Sequence, residues 1–228
     1  MRTLTNTTAD VQARHSWVLD RMSVAATRVG RDPGETMLVV VTKGRSLAEV
    51  EEVYRMGQRE FGENRPEEGS PKARSIRTQL ALDGDPVIWH MIGHVQHRKA
   101  KMVIANFDCI HSLDSLRLAE RLSRFAVAGE RVMPVLLQCN ISGEESKYGL
   151  AADRFDQDIA QWDSLMEEVS GILRQPSLAV RGLMTMTPIV PDPDQARSYF
   201  RRLRRLRDQL AQHFPETTWD ELSMGMTD

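Results

Sequence analysis

The sequence has little cysteine and no long apolar run. Its 228 residues contain two cysteines, Cys109 and Cys139, which excludes a framework of several disulfides and favours a reducing, cytosolic location. The longest apolar run, residues 37–41, is too short to span a bilayer, and the first residues lack the apolar segment of a secretory signal. We therefore predict a cytoplasmic protein that does not associate with membranes.

The sequence also lacks a basic excess. Its 30 Lys and Arg residues stand against 32 Asp and Glu residues, for a formal net charge of −2. This balance disfavours a dedicated nucleic-acid-binding protein. Hydrophobic residues make up 41% and charged residues 27%, so the composition excludes wholesale disorder and is typical of a globular protein.

Helical and strand patterns alternate along the chain. An apolar stripe predicts a first helix over residues 8–30, ending at Gly30. Seven short β-rich runs then predict strands over 37–43, 59–64, 87–93, 108–114, 132–140, 180–188 and 219–226. The segments between them predict helices over 47–57, 66–81, 95–106, 115–128, 152–174 and 193–213.

This alternation argues for an α/β fold with a parallel sheet covered by helices. Two architectures agree with it, a doubly wound open sheet and a (β/α)8 barrel. A barrel of eight units needs about 250 residues, and this chain has one strand fewer than eight. No linker or abrupt change of composition interrupts the chain, so we predict that residues 1–228 form a single domain.

Lys43 is the first candidate site residue. In parallel α/β folds, functional residues gather at the carboxyl ends of strands, and Lys43 directly follows the β-rich residues 38–42. We expect partial desolvation there to favour the neutral amine, which can attack an aldehyde. The alternative is a lysine that merely marks where the strand meets water.

The second candidate is the Ser223–Met224–Gly225 turn after the last predicted strand. A hydroxyl and backbone N–H groups in such a turn bind phosphate well, although an ordinary glycine turn is the alternative. An amine for an aldehyde and a turn for a phosphate together suggest pyridoxal 5′-phosphate (PLP). We expect Asn64 and one residue of the His90–Ile92 run to line the same cavity.

Several other signals are weak or missing. No metal site is predicted, because the histidines form no HExxH pattern and pair with neither cysteine at zinc spacing. Motifs of hydrolases, P-loop nucleotidases and Rossmann cofactor sites are absent. Cys109 and Cys139 lie in apolar runs, so we expect both to be buried and inert.

Two basic features have competing interpretations. Arginines of the helix at 197–210 surround an apolar stripe, so a solvated face is the simpler interpretation and a surface for anions, nucleic acid or a partner protein is the alternative. Lys147 lies in the glycine-bracketed loop 140–150, where it is either solvated or in contact with an anionic ligand.

Six segments occur in one order: VVVTKGRSLAEVEEVYRMGQREFGENRPEE, WHMIGHVQHRK, IHSLDS, NISGEESKYGL, GLMTMTP and LSMGMTD. Together they resemble the pyridoxal phosphate homeostasis protein family, over nearly the whole chain. The resemblance implies the alanine racemase N-terminal fold, a TIM-type (β/α)8 barrel with an extra N-terminal helix. Members of that family usually continue into an eighth strand, so this chain, which ends at Asp228, is expected to lack it.

The resemblance also implies a site. It assigns the internal aldimine with PLP to Lys43, and the phosphate contacts to Ser223 and Gly225. The positions that surround the cofactor in the family correspond here to Asn64, His90, Ile92 and Met184.

A carrier and an enzyme are both compatible with PLP. The resemblance favours a carrier, because related racemases have a second domain that supplies a tyrosine base, and none of Tyr54, Tyr148 and Tyr199 follows a predicted strand suitably. We therefore predict no catalytic residue. The predicted protein is a monomer that holds PLP reversibly, serves PLP homeostasis and delivers PLP to apo-enzymes. A PLP-dependent amino-acid racemase of narrow activity is the main alternative.

Overall fold

The computed structural model describes residues 8–80, 86–190 and 192–225. In these ranges the α-helices are α1 (Thr8–Thr27), α2 (Leu47–Arg55), α3 (Pro66–Leu80), α4 (Ala100–Asn106), α5 (Leu116–Ala128), α6 (Ile159–Leu173) and α7 (Ala196–His213). The strands are β1 (Val40–Val41), β2 (Glu60–Glu63), β3 (Ile88–Met91), β4 (Cys109–Leu113), β5 (Met133–Asn140), β6 (Leu150–Ala151), β7 (Leu178–Met186) and β8 (Glu221–Gly225). None of these helices combines the length and the apolarity needed to cross a membrane.

The strands form a parallel sheet in the order β1-β2-β3-β4-β5-β7-β8, and β6 pairs with the carboxyl end of β5. A helix connects each strand of the main order to the next, as short parallel crossovers require. All seven predicted strands are present, so the predicted α/β alternation is confirmed. Residue 81, the last of a predicted helix, and residue 226, the last of the final predicted strand, lie outside the described residues.

The sheet curls into an incomplete barrel. Ser223 Oγ of β8 lies 2.9 Å from His111 Nδ1 of β4, although β5 and β7 separate the two strands. Neighbouring strands are roughly 4.8 Å apart, so this contact requires strong curvature. Within the described ranges β1 pairs only with β2, and β8 pairs only with β7. The fold therefore agrees with a TIM-type barrel that lacks its closing strand.

The main hydrophobic core lies between the sheet and the helices. Phe61 of β2 stacks on Trp89 of β3 with ring centroids 5.6 Å apart, and both side chains are fully buried. The predicted stripe of α7 is confirmed, because its leucines at spacings of three and four are buried: Leu203, Leu206 and Leu210. The intervening arginines Arg201, Arg204 and Arg205 are exposed, as the solvated-face interpretation requires.

Several helix and strand boundaries differ from the sequence predictions, and the largest differences are in β1, α6 and α4. β1 has two residues rather than seven, because this edge strand finds hydrogen-bond partners on β2 alone. α6 begins at Ile159 rather than near residue 152, because the Asp158 side chain accepts a hydrogen bond from Gln161 N–H and caps the helix there. α4 begins at Ala100, after a single 3-10 turn at His97–Lys99.

β6 was expected to be part of a loop. Gly149, with φ of +128°, brings the chain against β5 so closely that a Cβ there would lie 2.8 Å from the backbone nitrogen of Asn140. Leu150 then pairs with Cys139, and Ala151 pairs with Asn140. Two residues are too few to show an alternating pattern, so the sequence carried no strand signal here.

Candidate cofactor site

Lys43 lies at the carboxyl end of β1, in a turn closed by a 2.9 Å hydrogen bond from Arg45 N–H to Thr42 C=O. Gly44 completes the turn with φ of +68°, a conformation that glycine adopts without strain. The Lys43 side chain is exposed, so the expected partial desolvation was wrong. The physical reason is that β1 is an edge strand whose outer side is paired with no other described strand. Its amine is therefore accessible to a ligand.

The backbone that precedes Lys43 is firmly anchored. Thr42 Oγ1 donates to Glu63 Oε1 at 2.6 Å, and Lys72 Nζ of α3 lies 2.6 Å from both Thr42 C=O and Glu63 Oε1. Glu63 is fully buried and Thr42 nearly so. This ion pair joins β1, β2 and α3 directly beside Lys43. Sequence reasoning missed it, because Glu63 and Lys72 are nine residues apart on different elements.

Asn64 and Ile92 follow β2 and β3 at the same end of the barrel, where Ile92 N–H donates to Glu63 C=O at 3.0 Å. Asn64 Oδ1 is buried and has no hydrogen-bond partner among the described residues. Buried acceptors are normally paired, so this oxygen calls for a donor from a ligand or from water. Ile92 packs over Gly62, where a Cβ would lie 3.0 Å from Ile92 Cδ1.

Met184 lies on β7, and Ser223 and Gly225 lie within β8, so the prediction of a turn at Ser223–Gly225 was wrong: these residues continue the strand by pairing with β7. Met184 pairs with Ser223, and Met186 pairs with Gly225. Met184 is buried, but like Ile92 it does not belong to the main core. Gly225 has φ of +152°, and among the described residues no atom beyond its chain neighbours lies within 4 Å of the position that a Cβ would take. The described residues therefore leave space beside the backbone of Gly225.

Inside the barrel, four polar side chains form a continuous hydrogen-bonded chain. Glu60 Oε2 lies 2.6 Å from His90 Nε2, His90 Nδ1 lies 2.8 Å from His111 Nε2, and His111 Nδ1 lies 2.9 Å from Ser223 Oγ. His90 and His111 are buried, and Glu60 is partly exposed. Burial, followed by the neighbouring His90, lowers the pKa of His111 to about 3, so its imidazole is neutral at physiological pH.

His90 is in register with Gly62 of β2, which is in register with Val41 of β1, so His90 lies two residues before the level of Lys43 in the sheet. It reaches Ser223 through His111, which sequence reasoning did not include among the site residues, and it also contacts Glu60, which was missed. One signal could have revealed them. Small or polar residues occupy alternate positions of three strands, at Glu60 and Gly62, at Cys109 and His111, and at Glu221 and Ser223, and alternation indicates one shared face.

The atoms of His90, Cys109 and His111 that could ligate a metal lie within 4.8 Å of one another. However, both ring nitrogens of each histidine are already within hydrogen-bond distance of another side chain. Burial also raises the pKa of the Cys109 thiol to about 12, so the sulfur keeps its proton. We interpret these side chains as a hydrogen-bonded chain and assign no metal ligands. The prediction that both cysteines are buried is confirmed, and burial likewise raises the pKa of the Cys139 thiol to about 12.

The loop after β5 folds over the ends of β3 and β4. Tyr148 stacks on His94 with ring centroids 3.7 Å apart, and His94 Nδ1 lies 2.8 Å from Asp114 Oδ2. Lys147 forms an ion pair with Glu144 and lies 3.4 Å from Met186 C=O. Lys147 is therefore a paired loop residue rather than a freely solvated one.

Comparisons with known proteins agree with this architecture. The model of the alanine racemase, N-terminal domain family matches residues 19–228, and the chain belongs to that family. A crystal structure of an unknown protein from Bifidobacterium adolescentis has a TM-score of 0.83 and 33% identity, and the match covers 96% of this chain and 86% of that one.

The pyridoxal phosphate homeostasis protein of Escherichia coli (strain K12) is 35% identical over 225 residues, which cover 96% of this chain and 87% of that protein. The chain thus belongs to the pyridoxal phosphate homeostasis protein family, as its sequence motifs predicted. A related structure is that of PipY from Synechococcus elongatus PCC7942 with PLP bound. It has a TM-score of 0.67 and 30% identity, covering 91% of this chain and 88% of that one.

Proposed function

We propose that this protein binds PLP and acts in PLP homeostasis as a carrier. Its relatives include a protein named for pyridoxal phosphate homeostasis and one whose structure contains PLP. The observation that carries the proposal is the arrangement of the strand ends. Lys43 follows β1, and Ser223 and Gly225 lie in the last residues of β8; β1 and β8 are the edge strands of one curled parallel sheet, so both groups lie at its carboxyl end.

The residues at this end fit the cofactor. When bound, PLP supplies an aldehyde that joins a primary amine reversibly, and Lys43 presents an exposed amine for that bond. The Ser223 hydroxyl and the open backbone at Gly225 suit a phosphate group. We assign Asn64 Oδ1, which has no hydrogen-bond partner among the described residues, to a ring substituent, and the apolar Ile92 and Met184 to the surroundings of the ring.

A visible-absorbance titration with PLP tests binding. We expect the wild-type protein to develop a saturable long-wavelength band, which Lys43→Ala abolishes. Lys101→Ala serves as the matched control, because Lys101 is an exposed lysine of α4 outside the site, and we expect it to behave as the wild type does. An identical band in Lys43→Ala would contradict the assignment of Lys43.

The absence of turnover is the second part of the proposal. Abstraction of a Cα proton needs a positioned base. The Tyr54 hydroxyl is buried and Tyr199 lies in α7, but Tyr148 stacks at the carboxyl end of the barrel. That position is the one observation that favours the alternative, a narrow amino-acid racemase.

Chiral chromatography separates the two functions. With PLP-loaded protein and L-alanine, a carrier forms no more D-isomer than PLP alone does. Enantiomer conversion above that background that disappears in Tyr148→Phe would instead support the racemase.

We further propose that the carrier is a cytoplasmic monomer, built as a single domain, that delivers PLP to apo-enzymes. Both thiols are free and buried, so the fold does not need an oxidising compartment. Light scattering should give a mass near 25.9 kDa.

Delivery of PLP is tested with a phosphatase that destroys free PLP. The loaded protein should still activate an apo PLP enzyme in its presence, whereas an equal amount of free PLP should not. Equal loss of activation in both samples would contradict delivery.

A further inference from the structure

The chain Glu60–His90–His111–Ser223 has a proton count that constrains how its members share hydrogen atoms. Each of its three contacts, at 2.6, 2.8 and 2.9 Å, requires one hydrogen between the two heavy atoms. A neutral imidazole has one N–H and one bare nitrogen, and an ionised carboxylate only accepts. The direction of donation is therefore linked from one end of the chain to the other.

With both imidazoles neutral and Glu60 ionised, only one arrangement satisfies all three contacts. His90 Nε2–H donates to Glu60, His111 Nε2–H donates to His90 Nδ1, and the Ser223 hydroxyl donates to His111 Nδ1. The single hydrogen of Ser223 then points into the barrel. In this state Ser223 offers only lone pairs to a ligand at the strand ends.

One additional proton reverses the arrangement. With a second hydrogen on His90, its Nδ1–H donates to His111 Nε2, and His111 Nδ1–H donates to Ser223 Oγ. The Ser223 hydroxyl is then free to donate outward, which is the direction a phosphate oxygen requires. The count rises by one proton, shared by His90 and Glu60, while His111 stays neutral throughout.

We propose that Glu60, His90 and His111 are positioning residues that set the donor direction of Ser223, so that binding of a phosphate-bearing ligand takes up one proton inside the barrel. The proposal rests on the proposed function in one respect, namely that Ser223 contacts the phosphate of PLP. It adds a role for three buried or half-buried side chains that lie beneath the site.

The surroundings of the two imidazoles favour Glu60 as the partner of the additional proton. Cys109 of β4 lies beside both rings, and its thiol is protonated. Arg181 of β7 and Glu221 of β8 also act on Cys109 electrostatically, but they lie 3.9 Å from each other and offset one another. Among the described residues, Glu60 is the carboxylate within hydrogen-bond distance of the chain.

The test compares Glu60→Gln with Glu221→Gln. A glutamine at position 60 still accepts from His90 Nε2–H, so it keeps the first arrangement, but it removes the charge that stabilises the second. The Glu221→Gln variant makes the same chemical change in the same barrel, but Glu221 takes no part in the hydrogen bonds that link Glu60 to Ser223. The dissociation constant of PLP is measured for each protein between about pH 6 and pH 8.5, a range that brackets ordinary imidazole titration. Calorimetry in two buffers of different ionisation enthalpy measures the protons taken up.

We expect Glu60→Gln to weaken PLP binding about ten-fold at the acidic end, where a charge-assisted hydrogen bond is lost, and hardly at all at the alkaline end. Its proton uptake should be smaller than that of the wild type, by up to about one proton. Glu221→Gln should follow the wild type. The Ser223→Ala variant alters only the outer end of the hydrogen-bonded chain. It should also lose the pH-dependent part of PLP binding, and it provides the test if Glu60→Gln does not fold.

Each result decides a different claim. If PLP binds the wild type and all variants share one pH profile, the positioning role is overturned and the proposed function stands. If the wild type binds no PLP at any pH, the proposed function fails, and the positioning role fails with it. The inference is supported if the PLP dissociation constant of Glu60→Gln, divided by that of the wild type, falls as the pH rises, and the same ratio for Glu221→Gln does not.

Discussion

The ion pair of Glu63 and Lys72 restrains the backbone from which Lys43 projects. Glu63 is fully buried, and the side chain of Lys72 is 15% exposed, so water stabilises neither charge well. Removing one partner of such a pair leaves the other buried without compensation. The pair also holds Thr42 C=O, so its loss affects the turn that carries the proposed cofactor lysine.

Lys72→Met tests this role. We expect it to lower the free energy of unfolding in urea by about 3 kcal/mol, because the Glu63 carboxylate loses its counter-ion. The double variant Glu63→Gln/Lys72→Met should recover much of that loss. As a control, Arg31→Met removes an exposed partner of Glu35 and should cost less than about 1 kcal/mol. If Lys72→Met and Arg31→Met lowered the free energy of unfolding equally, a structural role for the buried pair would be contradicted.

Gly93 is a second position where one residue matters. A Cβ there would lie 2.1 Å from the carbonyl oxygen of Asn64, so the strand ends around Asn64 approach each other only because position 93 is glycine. We expect Gly93→Ala to destabilise the protein by about 2 kcal/mol or more, because backbone atoms must move apart. Gly34→Ala is the control, since its nearest contact would be 3.5 Å, to a flexible carboxylate. An unchanged thermal midpoint in Gly93→Ala would contradict this close approach.

At the residue scale, the sequence predicted the strand-end residues but not the buried side chains that contact them. Lys43, Asn64 and Ser223 lie at or near the ends of predicted strands, so their location at one end of a parallel sheet could be predicted. The contact between His111 and Ser223 joins residues 112 positions apart, and no local pattern encodes it. It exists because the sheet curls, and curvature is a property of the assembled strands.

At the scale of elements, the start of α2 determines where the Lys43 turn ends. Ser46 Oγ accepts from Glu49 N–H, and Glu49 Oε2 accepts from Ser46 N–H at 2.8 Å, which forms a capping box. The hydrogen bond from the Ser46 backbone N–H is the main cause that lowers the pKa of Glu49 below its ordinary value of 4.5. The hydrogen bond that the Glu49 carboxylate accepts therefore stabilises the fold most while Glu49 is ionised.

Glu49→Gln should reveal this as a pH dependence. A carboxylate whose pKa is lower in the folded state adds stability above its ordinary pKa and loses it as the pH falls through the folded value. The difference in unfolding free energy between wild type and variant should thus be full at neutral pH and shrink below pH 4.5. Glu216→Gln, at an exposed position after α7, should show no such trend. A difference that stays constant with pH would contradict the capping box.

Prediction of elements from the sequence succeeded where periodicity was long and failed at short or edge segments. The α7 stripe and the β5 and β7 runs are clear because several turns or alternations repeat. β6 has two residues and depends on Gly149 for its approach to β5. The first strand was overestimated, because an apolar run predicts burial but not how many hydrogen bonds an edge strand forms.

At the scale of the whole molecule, the curled sheet has an apolar outer face and polar side chains in its interior. Its outer face packs an apolar core against the helices, while its interior holds the chain from Glu60 to Ser223, which spans the arc from β2 to β8. The open edges at β1 and β8 place Lys43 and Gly225 on strands with one neighbour each in the described ranges. Under the proposed function, PLP would contact the residues at both of these edges at the carboxyl end of the sheet.

The most direct test of the account is to locate the covalent bond between PLP and the protein. The loaded protein is reduced with borohydride, digested, and mapped by mass spectrometry. The account predicts one pyridoxyl adduct, on Lys43, that Lys43→Ala eliminates and Lys101→Ala leaves unchanged. Pyridoxyl adducts on Lys72, Lys147 or surface lysines, with Lys43 unmodified, would contradict it.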